Sequence, residues 1–195
     1  MRRKKNPIVL VALGANRPFG DRSPLRTLRQ AAQRLAAAGV KIESLSRWRG
    51  SPAFPPGAGP DFVNGAARVT TEATPEALLK TLHDVEAAFG RERRERWSAR
   101  TCDLDLIAFG DDVAPDEATV RRWMDMGPEA AGATCGPDRL ILPHPRAEER
   151  AFVLAPIAEI APEWRHPLTG RTAAEALAAL PAADRESLRV LDERT

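Results

Sequence analysis

The chain has 195 residues, 43% hydrophobic and 29% charged, with 17 prolines against 13 glycines. This is ordinary globular composition, which excludes a coiled coil or a disordered chain and leaves no room for a second catalytic domain. The formal net charge of +2 comes from a tail: Arg2, Arg3, Lys4 and Lys5 give +4, so the remainder sums to −2, unlike the broad basic face of a duplex-binding protein.

Ile8–Leu13 is a continuous apolar run ending at Gly14, which predicts a buried central strand. It is too short for a signal-peptide core, and no run approaches the roughly 20 residues that span a bilayer. Ser23-Pro24 reads as an N-cap with proline at the first helical position; Leu25, Leu28, Ala32 and Leu35 then make one helix face that stops at Gly39. Val40–Arg49 alternates and predicts a strand. Ser51–Pro60 holds four prolines and two glycines and predicts a loop, and Phe62–Thr71 a further strand. Thr74-Pro75 repeats the cap-plus-proline start, with Leu78, Leu82, Val85 and Phe89 on one face, His83 and Glu86 on the other, and Gly90 as the stop. Arg91–Arg100 is a charged loop and Thr101–Phe109 a strand. Asp111–Arg139 has weak periodicity and reads as a surface insertion with a short helix at Glu117–Met126. Leu140–Pro145 is extended. Glu148–Ile160 predicts a helix that Pro156 should kink or split, His166 reads as surface, and Thr172–Leu180 predicts a last short helix. The order strand, helix, strand, strand, helix, strand predicts an α+β fold: a ferredoxin-like βαββαβ sheet with packed helices, C-terminal additions and a surface insertion. The expectation is one domain over 1–195, with a basic tail at 1–7 and the insertion at 111–139.

The strongest chemical signal is Arg100-Thr101-Cys102-Asp103-Leu104-Asp105-Leu106-Ile107. Residues two apart on a strand share a face, so Asp103 and Asp105 point one way while Cys102, Leu104, Leu106 and Ala108 point into apolar packing. Paired carboxylates repel unless a cation lies between them, and all-oxygen ligands suit magnesium. Solvated aspartates on an edge strand are the plainer alternative, but aspartate is depleted in strands. Cys102 and Cys135 have no metal-ligand spacing and read as reduced thiols of a cytoplasmic protein.

Upstream, Arg91–Arg100 holds five arginines and two glutamates, a charge of +3. Guanidinium groups match phosphate oxygens, although such runs are also found as solvated helix ends. Beside a carboxylate pair the phosphate reading gains, because metal plus arginine neutralises polyphosphate charge. No P-loop sequence is present. Phe62 and Asn64 share a strand face and suit a planar heterocycle, stacked and read along its edge; a core phenylalanine and a turn asparagine are the simpler reading of that pair alone. Phe152 offers a second ring, and His144, between Pro143 and Pro145, offers an imidazole six residues before Arg150.

Gly90-Arg91-x-Arg93-x-x-Arg96-Trp97-x-x-Arg100-x-x-Asp103-Leu104-Asp105-Leu106-Ile107 resembles the signature of the 6-hydroxymethyl-7,8-dihydropterin pyrophosphokinases. Leu13-Gly14-Ala15-Asn16, Ser51-Pro52, Pro60-Asp61-Phe62-Val63-Asn64, Leu142-Pro143-His144-Pro145-Arg146 and Arg150-Ala151-Phe152 extend the resemblance from about Ile8 to Pro167, with Asp111–Arg139 outside it. The resemblance implies transfer of diphosphate from ATP to the pterin's hydroxymethyl group, leaving AMP, on a ferredoxin-like sheet with two magnesium ions. It implies Asp103 and Asp105 as metal ligands, catalytic with Arg91 and Arg100. Arg91, Arg93, Arg100, His144 and Arg150 would contact phosphate, Trp97 would seat the catalytic loop, and Leu106, Leu140 and Leu142 would lie near adenine. Phe62 and Phe152 would sandwich the pterin, Asn64 would read its edge, and Ser51, Pro52 and Phe54 would line its pocket. A monomer that binds neither nucleic acid nor membrane is expected. Two departures stand out: Ser98-Ala99 where the family usually has Gly-Pro, and Pro145 where an aromatic is common. The rival readings are a regulatory ligand-binding module, which gives no reason for two aspartates in an apolar strand, and an RNA-binding sheet. The latter needs exposed aromatics, and this chain has no tyrosine.

Overall fold

The computed structural model describes residues 7–53, 59–91, 100–126 and 140–192. The apolar run at the start forms β1 (Val9–Ala15). It lies between β4 (Phe62–Thr70) and β5 (Asp103–Phe109) and is antiparallel to both. Beyond β4 come β2 (Lys41–Leu45) and β3 (Arg49–Ser51), and β6 (Arg189–Val190) adds to β3, so the path is β5–β1–β4–β3–β6 with β2 also on β4. The result is a mixed α/β fold on an antiparallel sheet.

Two helices cover one sheet face. In α1 (Pro24–Ala37) the Ser23 hydroxyl accepts from the Arg26 N–H, and in α2 (Pro75–Ala88) Thr74 does the same for Ala77. Gly39 and Gly90, both at positive φ, follow their ends. Leu28, Leu35, Leu78 and Leu82 are buried against Val9, Val11, Leu13, Leu104 and Leu106. Each such leucine contributes roughly 1.5–3 kcal/mol relative to exposure. On the opposite face, Leu10, Ala66, Ile107 and Ala108 pack with Val153 and Ile157, while the end of the sheet nearer Gly14 carries polar groups. No helix among the described residues is long and apolar enough to cross a membrane.

The structure departs from the sequence expectations at definable points. Val40–Arg49 is not one strand. It divides at Ser46, whose hydroxyl accepts from the Ala66 N–H at 3.0 Å and donates to the Arg47 carbonyl, so β2 and β3 pair with different halves of β4. Ala108 does not share a face with Leu106. A bulge sets Leu10 opposite Ala108 and Val11 opposite Leu106, and Ile107 and Ala108 both turn toward the second core. The Glu148–Ile160 helix splits at Arg150 rather than at Pro156. A 3-10 turn at Ala147–Glu149 precedes the helix Ala151–Ile160, which continues through Pro156, and Arg150 between them is extended. His166 is buried, its Nδ1 accepting from the Leu168 and Thr169 amides. In the predicted insertion, Glu117–Asp125 is helical and buries Val120; residues 127–139 lie outside the described residues. Toward the C-terminus, the helix Ala173–Ala179 carries a Thr172–Glu175 capping box. The short helix Ala182–Glu186 and β6 follow without a sequence signal strong enough to have been expected.

Trp48 is buried over β4 at Gly65, where a β-carbon would stand 2.7 Å from its ring. Gly65→Ala should therefore destabilise the fold by about 1–3 kcal/mol through overpacking. Urea unfolding of the variant beside the parent reads that difference directly.

Candidate active site

The polar end of the sheet is built by register. Gly14 of β1 pairs with Asn64 on one side and with Asp103 on the other, and Ala12 pairs likewise with Ala66 and Asp105. Asn64, Asp103 and Asp105 thus project from one sheet face, with only small residues between them. A β-carbon on Gly14 would lie 3.6 Å from Asn64 Oδ1 and 3.9 Å from Asp103 Cβ.

On the β4 side, Asn64 and Ser51 are both buried, and Asn64 Nδ2 donates to Ser51 Oγ at 2.9 Å. That bond fixes the amide so that Oδ1 faces the Gly14 row. Phe62, partly buried, lies two residues away on the same face, and Pro52 follows Ser51 on the chain. Phe152, in the first turn of the Ala151–Ile160 helix, is 37% exposed, with the Arg150 guanidinium 5.8 Å from its ring centroid.

On the β5 side, Arg91 and Arg100 converge on one carboxylate: Arg91 Nη1 donates to Asp103 Oδ1 and Arg100 Nη1 to Asp103 Oδ2. Arg91 also donates to the Cys102 carbonyl at 3.2 Å and pairs with Glu86 at 3.0 Å. Burial raises the Asp105 carboxyl, but His144, Arg150, Arg100 and Arg91 outweigh it and hold the group below the ordinary carboxylate range. His144 is suspended beside the bulge, its N–H donating to the Ile107 carbonyl at 2.8 Å. Its Nδ1 accepts from the Arg146 N–H at 3.2 Å, which leaves the proton on Nε2. Burial lowers the His144 pKa and Asp105 only partly opposes it, so the ring is a neutral donor at pH 7.

Glu86 is a site residue whose importance the sequence did not reveal. The expected placement opposite Leu78 and Leu82 does not hold: Glu86 stands one turn after Leu82, flanks the leucine face and is buried. Its Oε1 accepts from the Leu104 N–H at 2.8 Å on the open edge of β5 and pairs with Arg91. A glutamate one turn before a helix-ending glycine, followed at once by an arginine, is the available signal.

Among the expected adenine contacts, Leu106 and Leu142 have side chains buried in the core on the α1–α2 side. Leu142 also exchanges both backbone hydrogen bonds with Ala114. Leu140 is partly buried against the same core. Phe54, Arg93, Trp97 and the Ser98-Ala99 departure lie outside the described residues.

The chain that carries this carboxylate pair and buried amide has relatives among known proteins. The family model for 7,8-dihydro-6-hydroxymethylpterin-pyrophosphokinase matches residues 10–162. The chain belongs to this family. A 2-amino-4-hydroxy-6-hydroxymethyldihydropteridine pyrophosphokinase of Synechocystis sp. is 39% identical over 141 residues, covering 72% of this chain and 61% of that one. The enzyme of the same name from Methylorubrum extorquens is 35% identical over 171 residues, 87% of this chain and 91% of that one. Among solved structures, wild-type HPPK-DHPS of Plasmodium falciparum aligns with a TM-score of 0.58 at 13% identity, over 91% of this chain and 45% of that one, a likeness of fold. This chain thus spans under two thirds of the Synechocystis relative and under half of the Plasmodium one.

The β5 edge of the candidate site is open to two stability measurements. Glu86→Ala leaves the buried Leu104 N–H unpaired and should cost about 1–3 kcal/mol in urea unfolding, with Glu86→Gln recovering part of it through its remaining acceptor. The second concerns Cys102, a buried free thiol pushed up to about 12 by burial first and Glu86 second, against an opposing effect of Arg91. Its native pKa exceeds the unfolded one, so its contribution to stability is intact below pH 9 and declines as pH rises from there toward 12. Stability should fall by up to ~1.4 kcal/mol per pH unit in that window. Unfolding of the parent and of Cys102→Ala at about pH 8 and about pH 10 reads the difference in slope.

Proposed function

We propose that this chain transfers diphosphate from ATP to 6-hydroxymethyl-7,8-dihydropterin, giving the pterin diphosphate and AMP. The observation that supports the reading is the single row Asn64–Gly14–Asp103, with an amide and a carboxylate on one face, the groups we assign to the heterocycle and to the phosphates. Asn64, oriented by Ser51, would read the pterin edge, and Phe62 and Phe152 would flank the ring, with Pro52 and Phe54 completing the pocket. The order β5–β1–β4–β2 supports the ferredoxin-like reading of the sheet. We read residues 1–195 as one catalytic unit, monomeric and cytoplasmic.

The hydroxymethyl oxygen attacks the β-phosphorus of ATP. The bond from that phosphorus to the α–β bridging oxygen breaks, AMP leaves with that oxygen, and the hydroxyl proton passes to solvent. Asp103 and Asp105 fit magnesium: both are carboxylates on one face, flanked by Gly14 and Ala12. The described residues offer no third acidic, histidine or cysteine ligand, so phosphate oxygens and water must complete any coordination sphere. Two magnesium ions held there would supply charge neutralisation at the transferring group. Arg91 and Arg100, which neutralise Asp103 here, would exchange that carboxylate for phosphate oxygens, joined by Arg93, Arg150 and the Nε2–H of His144. Trp97 would seat the segment between the two arginines. Leu106 lies two residues from Leu104, so its backbone faces the same open edge of β5 and is the group we assign to adenine, with Leu140 beside it. Leu142 would support that edge from the core.

Magnesium-dependent AMP release from ATP, only when the pterin is present, tests the reading. Asp105→Asn should lower that rate by about 10³-fold or more while the protein stays folded. Arg100→Ala should leave both substrate dissociation constants within a few-fold and slow the chemical step by about 10³-fold, as expected for an arginine acting mainly in the transition state. Single-turnover quench kinetics beside equilibrium titration separate these outcomes. A normal turnover rate in Asp105→Asn would remove the metal assignment.

A further inference from the structure

We infer that Asn16 is a positioning residue that mechanically joins the pterin side of the site to its phosphate side; the inference rests on the activity proposed above. Asn16 follows β1 and is 4% exposed. Its Oδ1 accepts from the Arg100 N–H at 2.7 Å, and its Nδ2 donates to the Pro60 carbonyl at 3.1 Å. Pro60 stands two residues before Phe62, where the ring wall begins. Arg100 stands three residues before Asp103, where the carboxylate strand begins. One buried amide therefore spans the entrances to both half-sites.

The choice of residue follows from hydrogen-bond inventory. Only a side chain with a donor and an acceptor on one short planar group satisfies both backbones at once, and asparagine is that group at this length. Aspartate keeps the acceptor for Arg100 and sets an oxygen against the Pro60 carbonyl; alanine removes both bonds. The Arg100 side of the junction has independent support. The backbone N–H groups of Asn16 and Arg17 both donate to the Arg100 carbonyl, at 2.9 and 3.1 Å. The Pro60 side has the Nδ2 bond, with Gly59 close enough that a β-carbon there would lie 3.7 Å from it. Changing Asn16 thus releases the ring side while Arg100 stays anchored. A shift of Arg100 on phosphate binding is transmitted to Pro60 through this amide, and by linkage pterin binding is transmitted back by the same factor.

The test uses the full chain and isothermal titration of the pterin, with and without saturating magnesium and an α,β-methylene analogue of ATP, whose bridging bond cannot be cleaved. The parent should bind pterin at least about tenfold more tightly with the analogue present. In Asn16→Asp that ratio should fall to within about twofold of one, while the affinity for the analogue alone changes less than about threefold. The reverse titration should give the same ratios. Asn16→Ala serves if Asn16→Asp does not fold, with the same expected ratio. A ratio in either folded variant equal to the parent's, including one in which both affinities weaken together, overturns the link, as does a parent ratio of one. AMP release by the same parent preparation separates the two levels: its absence overturns the activity and the link together, whereas normal AMP release with unchanged variant ratios overturns the link alone.

Discussion

β1 runs between the strand bearing Phe62 and Asn64 and the strand bearing Asp103 and Asp105, so the two sets of side chains stand two antiparallel spacings apart, roughly 10 Å. That interval stays open because β1 contributes almost nothing to the face between them: no side chain at Gly14 and a methyl at Ala12. A backbone hydrogen-bond ladder thereby sets a distance that flexible side chains would hold poorly. The hydrophobic core below serves the same end. Val9, Val11 and Leu13 lock β1 onto α1 and α2 from the other face, so the ladder does not slip by a residue and invert the site.

The charge arrangement depends on that geometry. Asp103 and Asp105 share a face and repel, and the surrounding chain answers with cations from three directions. Arg91 arrives from the end of α2, Arg100 from the start of β5, and Arg150 from the extended residue before a helix. Gly90, at φ 71°, ends α2 and lets the Arg91 N–H fold back to the Glu86 carbonyl at 3.2 Å, which brings the guanidinium onto both Glu86 and Asp103. Glu86 in turn occupies the edge amide of Leu104. Helix, edge strand and Arg91 are thus one hydrogen-bonded unit, and a change at Glu86 reaches Asp103 through Arg91.

Much of this was legible in the sequence because it depends on local pattern. The strand period put Asp103 and Asp105 together, the cap-plus-proline pairs located both helices of the first face within a residue, and the apolar run at Val9 identified the central strand. What escaped was tertiary. Glu86, one turn after Leu82, flanks the leucine face, but no local pattern shows that the Leu104 N–H of β5 supplies the donor that makes burying a carboxylate there favourable. The bulge at Ile107 cannot be read from a run in which every residue is apolar. Arg150 ends a 3-10 turn because the chain is extended there beside Asp105, a partner 45 residues earlier, while proline at position 156 is tolerated within the helix. His166 lies inside because two backbone amides of its own turn satisfy Nδ1.

The Ala114–Leu142 pair, two backbone hydrogen bonds of 2.9 Å, closes the chain on itself just after β5 and just before His144. The chain departs after Ala114, where the helix Glu117–Asp125 follows, and Leu142 marks a fixed doorway for its return. His144 is then tied to Ile107 independently of what lies beyond it. Doubling the length of such an excursion costs only about 0.6 kcal/mol of closure entropy. The excursion is therefore free to grow, shrink or acquire new sequence while the imidazole keeps its place beside Asp105. The doorway makes this stretch the part of the molecule where evolution, or an engineer inserting a tag, can add chain without retuning the chemistry.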